Sequence, residues 1–221
     1  MSANGAFRTP PVVANLLMIN ILVFVAEMLL PSNVGNAMLE FGALQFWAGG
    51  GFRIWQPLTY MFLHGGFSHI FFNMFALWMF GRVLEYDLGS RRFLTYYIVC
   101  GVGAGLIQLG VNWLEFSVVA ADPAAAPLTV MRYAHASTIG ASGAVFGLLL
   151  AFGMLHPNNM IMLMFPPVAL KAKWFVVIYG VIELLAGIKG GGGVAHFAHL
   201  GGMLFGWLLL RYWKRSGKIY Y

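Results

Sequence analysis

The sequence predicts an all-α integral membrane protein, one bundle of six transmembrane helices over residues 1–221 with both termini on the cytoplasmic side. Of its 221 residues, 60% are hydrophobic and only 9% are charged, whereas soluble domains are roughly half apolar and a quarter charged. Six segments approach the ~20 mostly apolar residues that a membrane-spanning helix needs. These segments are 12–30, 67–86, 92–114, 138–155, 170–188 and 196–213.

The first segment is predicted to be a retained span. Its apolar stretch from Pro11 to Leu30 is too long for a signal peptide and lacks a small-x-small cleavage site. The connection that follows, residues 31–66, is expected to rest at the membrane interface, where large aromatic side chains are enriched. The aromatic residues in this connection include Trp47, Phe52, Trp55 and Tyr60.

Polar residues interrupt the later part of the chain. The connection 115–137 contains ADPAAAP and cannot be helical throughout, because proline disrupts a helix interior. The fifth segment is the weakest, since Lys171 and Lys173 lie at its start and Glu183 lies inside it. A carboxylate inside a membrane is costly unless it is neutral or paired. Glu183 is therefore expected to make a hydrogen bond within the bundle, and Cys100 in the glycine-rich third span is expected to serve packing.

The basic residues are distributed unevenly between the two sides of the membrane. With a cytoplasmic N-terminus, ten of the 13 Lys and Arg residues fall in inside segments. The other three, Arg53, Arg132 and Lys189, fall outside. Cytoplasmic segments are enriched in positive charge, so this bias predicts that both termini are cytoplasmic. It also accounts for the net charge of +6 without a nucleic-acid partner.

With this orientation, the second, fourth and sixth spans begin on the outer side, and each has polar residues near its start. They are His69 and Asn73 in the second span, Ser142 in the fourth, and His196 and His199 in the sixth. Ser142 is expected about four residues into its helix, which is about 6 Å below the outer end. Polar side chains within a span usually face one another or a cavity. These residues are therefore predicted to form one site.

Ser142 and His199 have the chemistry of a nucleophile and its base. A serine hydroxyl is a weak nucleophile until a neighbouring base accepts its proton, and a neutral histidine suits that role. Small residues form a stripe on the fourth span and another on the sixth, which favours close approach of the two helices in a membrane. The stripes consist of Gly143, Gly147 and Ala151 on the fourth span and Gly202 and Gly206 on the sixth.

His69 and Asn73 lie one turn apart on the same face of the second span. Together with the backbone amide of Ser142, they are predicted to donate hydrogen bonds to the negative oxygen that forms during acyl transfer. No acid adjoins His199 in the sequence, and Glu115, Asp122 and Glu183 have no evident reason to reach it. A Ser–His dyad without a third member is therefore predicted.

Two of these motifs resemble the central motifs of the rhomboid family of intramembrane serine proteases. GASGAVFG at 140–147 resembles the family's GxSG nucleophile motif, with Gly140 and Gly143 on either side of the serine. AHFAHLGGMLFG at 195–206 resembles its histidine motif. The resemblance covers nearly the whole chain and implies that Ser142 is the nucleophile and His199 the base.

A third motif, HGGFSHIFFN at 64–73, resembles the family's HxxxN segment and its preceding histidine. The resemblance implies that His69 and Asn73 serve the oxyanion, while His64 supports the outer loop. The three motifs occur in the family's order, on alternate spans. Their conjunction is far more specific than any one of them.

Other stretches are similar to the family with some departures. GRVLEYDLGSRRF at 81–93 is similar to the stretch after the family's second span, which implies that Glu85 is a structural anchor. Where many members have Trp-Arg in the first loop, this chain has Trp55-Gln56. Where many have a tyrosine four residues after the nucleophile, Phe146 keeps a ring that is expected to stack on the histidine.

The resemblance implies a serine endopeptidase that cleaves transmembrane protein substrates near the extracytoplasmic membrane face and needs no cofactor. It also implies that the fifth span and the loop 189–195 form the side through which substrates enter. The lipid bilayer and transmembrane substrates are the expected partners. The bare six-span plan favours a bacterial inner membrane, and the oligomeric state is not predicted.

Two alternatives to a protease are compatible with parts of the sequence. A metal or haem protein would use His64, His69, His196 and His199, but the chain lacks the HExxH arrangement and a carboxylate at the predicted site. No metal is therefore expected. A non-catalytic relative would typically lack the serine or the histidine, and a small transporter would show internal repeats with broken helices. Neither pattern fits this sequence.

Overall fold

The computed structural model describes residues 9–162, 167–189 and 194–219, and most of these residues are helical. Within these ranges ten α-helices follow one another along the chain. They are α1 (Pro11–Leu29), α2 (Ser32–Gly42), α3 (Gln56–Thr59), α4 (Phe67–Ala76), α5 (Arg82–Leu88), α6 (Ser90–Ala121), α7 (Pro127–Ala134), α8 (Ser142–Leu155), α9 (Ala172–Lys189) and α10 (His196–Arg215).

Three helical segments are long and apolar enough to cross a bilayer. They are α1, α6 and the continuous 22-residue helical segment Phe67–Leu88, in which a π-helical turn at Leu77–Gly81 joins α4 to α5. Helix α8 is apolar but has only 14 residues, and α9 and α10 carry charged residues within their length. The chain is thus an integral, multi-pass membrane protein. The count of six spans and the cytoplasmic position of both termini stay predictions.

Two short antiparallel strand pairs join segments outside the long helices. β1 (Leu44–Gln45) pairs with β2 (Ser137–Thr138), and β3 (Met160–Met162) pairs with β4 (Ala169–Lys171). These pairs let segments outside the long helices satisfy their backbone groups by pairing with each other, and the fold stays mostly helical as predicted. The first pair fastens the connection after α1 to the chain that leads into α8.

The first connection, residues 31–66, is organised around the buried side chain of Gln56. This amide occupies the position after Trp55 where the similar family often has arginine. It joins backbone groups from separate turns of the connection, so it supplies the anchoring of the loop in this chain. Its partners within 3.5 Å are the N–H groups of Gln45 and Arg53 and the carbonyls of Glu40, Phe41 and Gly51.

Helix α10 packs against both α6 and α8, and glycines make the contacts close. A Cβ at Gly202 of α10 would overlap the backbone carbonyl of Gly143 in α8, so the predicted close approach of these helices is confirmed. In α8, however, the positions where Gly143 and Gly147 lack a Cβ face α6. A Cβ at Gly143 would overlap Ala104, and one at Gly147 would lie 2.5 Å from Sγ of Cys100. Small residues therefore fit three helices together rather than two.

Glu85 of α5 caps the N-terminal end of α1. Its carboxylate accepts hydrogen bonds from the backbone N–H groups of Val12 and Val13, at 3.0 and 2.8 Å. The hydroxyl of Ser90 donates to the same carboxylate at 2.6 Å. The first N–H groups of a helix lack partners within it, and negative charge is favourable there. The structure thus confirms the anchoring role that the resemblance implies for Glu85.

Replacing Glu85 with alanine is expected to lower the free energy of unfolding by at least about 2 kcal/mol, because a single hydrogen bond to a charged group contributes about 1.5–3 kcal/mol and this carboxylate accepts three. Thermal unfolding in detergent measures the change. Glu40→Ala is the matched control, since that carboxylate is exposed on α2. Equal losses of stability in the two variants would contradict the capping role.

Candidate active site

Ser142 is the first residue of α8 and follows a constrained turn. Gly140, two residues earlier, has a φ of +121°, which glycine adopts without steric cost. The Gly140 N–H donates to the carbonyl of Tyr60 at 2.9 Å, and β2 ends at Thr138. The expectation that Ser142 lies one turn inside its helix is therefore wrong. Strand pairing and the turn at Gly140 delay the start of α8 to the serine itself.

His199 lies in the first turn of α10, and its imidazole meets Ser142. The Nε2 atom is 2.8 Å from the Ser142 Oγ, and the histidine is buried. The ring of Phe146 is stacked on the imidazole, with centroids 4.2 Å apart and planes 5° from parallel, as the sequence predicts. This stacking fixes the plane of the imidazole beside the serine.

Glu183 of α9 also reaches His199, which corrects the prediction of a site without an acid. Its Oε2 is 2.8 Å from Nδ1 of His199 and 2.7 Å from Nδ1 of His196. The expected hydrogen bond of Glu183 within the bundle is confirmed, but its partners were missed. The sequence did contain a signal for this contact. In a helical hairpin, residues that are equally far from the connection lie side by side, and the position midway between Glu183 and His199 falls in the connection between α9 and α10.

His69 of α4 lies beside Ser142. The N–H of Gly65 donates to its Nδ1 at 3.3 Å, so in a neutral ring the hydrogen is on Nε2. A Cβ at Gly140 would lie 2.7 Å from this Nε2 and 3.8 Å from the Ser142 Oγ. The side of Gly140 that lacks a side chain thus faces both groups, so the His69 Nε2 and the Ser142 hydroxyl line the same space.

Asn73 is buried one turn after His69. Its Nδ2 donates to the backbone carbonyl of His69 at 2.8 Å. This bond stays within α4 and uses one of the two hydrogens of the amide nitrogen. The structure therefore places Asn73 against the backbone of His69, and its predicted contact with an oxyanion stays a prediction.

His64 lies in the turn before α4 and is buried. Its ring meets that of His69 edge to face, with centroids 5.1 Å apart. Burial, with the neighbouring His69 as the second cause, lowers the pKa of His64 to about 4, so this ring is neutral at physiological pH. The side chain predicted to support the outer loop thus also supports the imidazole of His69.

Glu183, His196 and His199 are also a candidate set of metal ligands, with donor atoms within 4.8 Å of one another. The premise that the site lacks a carboxylate is therefore wrong. The distances from the shared carboxylate oxygen, 2.7 and 2.8 Å, suit hydrogen bonds. A cation here would bind Nδ1 of His199 and leave the hydrogen of a neutral ring on Nε2. Such a ring could not accept the proton of Ser142, so metal binding and general-base chemistry compete for one imidazole.

The fold and the site together define a multi-pass membrane protein in which a serine and a histidine from two helices meet inside the bundle. The family model of the Rhomboid domain matches residues 51–215. The chain belongs to the rhomboid family.

Relatives extend across bacteria, fungi and plants. The chain is 33% identical over 153 residues to Rhomboid protein 1, mitochondrial, of Saccharomyces cerevisiae, covering 67% of this chain and 40% of that protein. It is 29% identical over 157 residues to "Putative rhomboid protease YdcA" of Bacillus subtilis, covering 70% and 65%. It is 30% identical over 155 residues to RHOMBOID-like protein 4 of Arabidopsis thaliana, covering 70% and 33%. The chain thus spans between a third and two thirds of the length of these relatives.

Proposed function

We propose that this protein is an intramembrane serine endopeptidase that cleaves transmembrane protein substrates near the extracytoplasmic membrane face. Ser142 is the nucleophile and His199 the base. The observation that carries the proposal is the 2.8 Å contact between Nε2 of His199 and Oγ of Ser142, on a ring that Phe146 holds from one face. Membership of the rhomboid family supports the same activity.

The reaction proceeds in two stages through a covalent intermediate. Nε2 of His199 accepts the hydroxyl proton of Ser142 while Oγ attacks the substrate carbonyl. The tetrahedral intermediate collapses, the peptide C–N bond breaks, and the imidazolium gives its proton to the leaving amine. Water then attacks the acyl carbon while the same imidazole accepts its proton. The bond between the acyl carbon and Oγ breaks, the imidazolium returns the proton to Oγ of Ser142, and the acid product leaves.

The negative oxygen of each tetrahedral intermediate is stabilised by donors around Ser142. The Nε2–H of His69 is one donor, because its Nδ1 is occupied as an acceptor. The backbone N–H of Ser142 is another, since the first N–H groups of a helix have no partner within it. The positive end of the α8 dipole adds to both. Asn73 contributes its second amide hydrogen.

The geometry of a helical substrate sets its selectivity. A helix hides its carbonyls in backbone hydrogen bonds, so the substrate must unwind locally before Ser142 attacks. Substrates with small or helix-breaking residues near the cleaved bond are therefore preferred. Helix α9 and the loop 189–195 form the substrate-access side in this proposal; residues 190–193 of that loop lie outside the described ranges.

Labelling with a fluorophosphonate tests the proposed function most directly. Detergent-purified protein is treated with the reagent, and the modified residue is mapped by mass spectrometry, alongside a panel of single-span substrates. Modification of Ser142 together with cleavage of a substrate supports the proposal. A protein that neither reacts nor cleaves any substrate of the panel is a non-catalytic rhomboid protein instead. Fractionation of the source cells tests the proposed location in a bacterial inner membrane.

Replacing His69 with alanine is expected to lower kcat about 10²–10³-fold, the usual loss for one oxyanion donor, with little change in KM. The reason is that the charge on the oxygen exists only in the transition state and the intermediates. Steady-state cleavage of a transmembrane substrate separates the two constants. His135→Ala, at an exposed histidine, is the matched control. A raised KM at unchanged kcat would reassign His69 to substrate binding.

A further inference from the structure

The carboxylate of Glu183 makes contacts that a Ser–His pair alone does not explain. Its Oε2 is 2.8 Å from Nδ1 of His199 and 2.7 Å from Nδ1 of His196. Glu183 and His199 are both buried. A buried charge is tolerated when hydrogen-bond donors satisfy it, and two imidazoles converge here on one carboxylate oxygen.

We propose that Glu183 is a positioning residue for His199 and extends the reactive pair to a Ser142–His199–Glu183 triad. This inference rests on the proposed function, in which His199 is the base for Ser142. The contacts run through opposite nitrogens of a single ring. Nε2 is 2.8 Å from the serine oxygen, and Nδ1 is 2.8 Å from the carboxylate oxygen.

The carboxylate selects the reactive tautomer of His199. An ionised carboxylate only accepts hydrogen bonds, so its contact requires a hydrogen on Nδ1. A neutral imidazole with its hydrogen on Nδ1 carries the lone pair on Nε2, which is the form that accepts a proton from Ser142. The stacked ring of Phe146 holds the plane of the imidazole but cannot distinguish between its tautomers.

The carboxylate also stabilises the ring after the proton has moved. When Nε2 accepts the hydroxyl proton, the imidazole becomes a cation next to the charge of Glu183, and the attraction between them is strong in a site with little water. The Nδ1 hydrogen stays on the ring throughout, and Glu183 stays ionised. The transferred proton leaves Nε2 with the amine product, so the imidazole is neutral again and can act as the base for hydrolysis of the acyl-enzyme.

His196 has a different place in this arrangement. Its ring is nearly perpendicular to that of His199, at 87°, with centroids 6.3 Å apart. It donates to the same oxygen of Glu183 from a second direction, which restrains the carboxylate next to His199. Loss of His196 leaves the bond between Glu183 and His199 in place. Its effect on turnover is therefore expected to be smaller than that of Glu183.

Glu183→Gln tests the proposal, because it keeps the size of the side chain and removes its charge. We expect kcat to fall about 10²–10⁴-fold, the upper value being that of the equivalent change in a soluble triad. KM changes little, and Glu183→Asp recovers part of the lost kcat. The rate of fluorophosphonate labelling falls in parallel. Glu115→Gln, at an exposed carboxylate of α6, is the control. His196→Ala is the comparison, and we expect it to lose less kcat than Glu183→Gln.

Two results would overturn the proposal. One is a kcat for Glu183→Gln within about threefold of wild type, too small a change for a triad carboxylate. The other is an equal loss in His196→Ala. If the glutamine variant does not fold, nitrogen NMR of histidine-labelled wild-type protein in micelles decides: hydrogen on Nδ1 of His199 supports the proposal, and hydrogen on Nε2 overturns it. Wild-type protein that neither labels nor cleaves defeats the proposed function itself, so the two failures are distinguishable.

Discussion

Alanine in place of Ser142 is expected to reduce cleavage of a transmembrane substrate by at least about 10³-fold, because a proposed covalent nucleophile has no substitute at the site. The hydroxyl that contacts Nε2 of His199 is that of Ser142. Cleavage of a single-span protein in reconstituted vesicles measures the loss. The same variant is expected to lose its reaction with fluorophosphonate.

Ser137→Ala is the matched control, because it removes an exposed hydroxyl from β2 only five residues away. The metal alternative is tested in the same assay by adding a chelator, which should leave the wild-type rate unchanged. A Ser142→Ala variant that still cleaves would refute the protease proposal. A wild-type rate that falls with the chelator would favour a metal at Glu183, His196 and His199.

Alanine in place of Gly202 is expected to lower both the stability of the fold and the rate of turnover. The new methyl would overlap the backbone carbonyl of Gly143, which moves only if α8 moves. Overpacking of this kind costs about 1–3 kcal/mol or more. Because Gly202 lies one turn after His199, separation of the helices also lengthens the contact with Ser142. A displacement of about 1 Å can lower a rate about 10²-fold.

Gly110→Ala is a stringent control for this change. Gly110 lies in α6, and a Cβ there would meet nothing within 4 Å. Both variants are compared by thermal unfolding in detergent and by the rate of fluorophosphonate labelling. If Gly202→Ala has the same stability and labelling rate as Gly110→Ala, the helices α8 and α10 accommodate the methyl group, and the prediction is wrong.

The long helices could be predicted because apolar length is a local feature, and the Ser142–His199 contact could be predicted because the order of the spans places both residues near the same face of the membrane. Apolar length fixes the helices, and all the long helices except α8 begin within two residues of the predicted starts. The order of the polar residues along the chain, with glycines that permit close packing, predicts which side chains meet. These predictions do not require the structure of the connecting segments.

The features that were missed depend on contacts between distant segments. The side chain of Gln56 makes hydrogen bonds to backbone groups in turns that have no regular periodicity, so no sequence pattern predicts these contacts. The start of α8 depends on the pairing of β2 with β1, more than 90 residues earlier in the chain. Glu183 reaches His199 only because α9 folds back along α10. Pairing between segments is set by the whole fold, which a reading of local sequence does not contain.

The shortness of α8 has a consequence for the lipid around the protein. Its 14 residues measure about 21 Å at 1.5 Å per residue, whereas the hydrocarbon of a bilayer is about 30 Å thick. Non-helical backbone at such depth is tolerated where protein covers it or water fills a cavity; β1 and Tyr60 cover the chain before Ser142. A bilayer adapts to a short span by thinning. We therefore expect the acyl-chain length of the host membrane to set how far a substrate of the proposed protease must leave the lipid to reach Ser142.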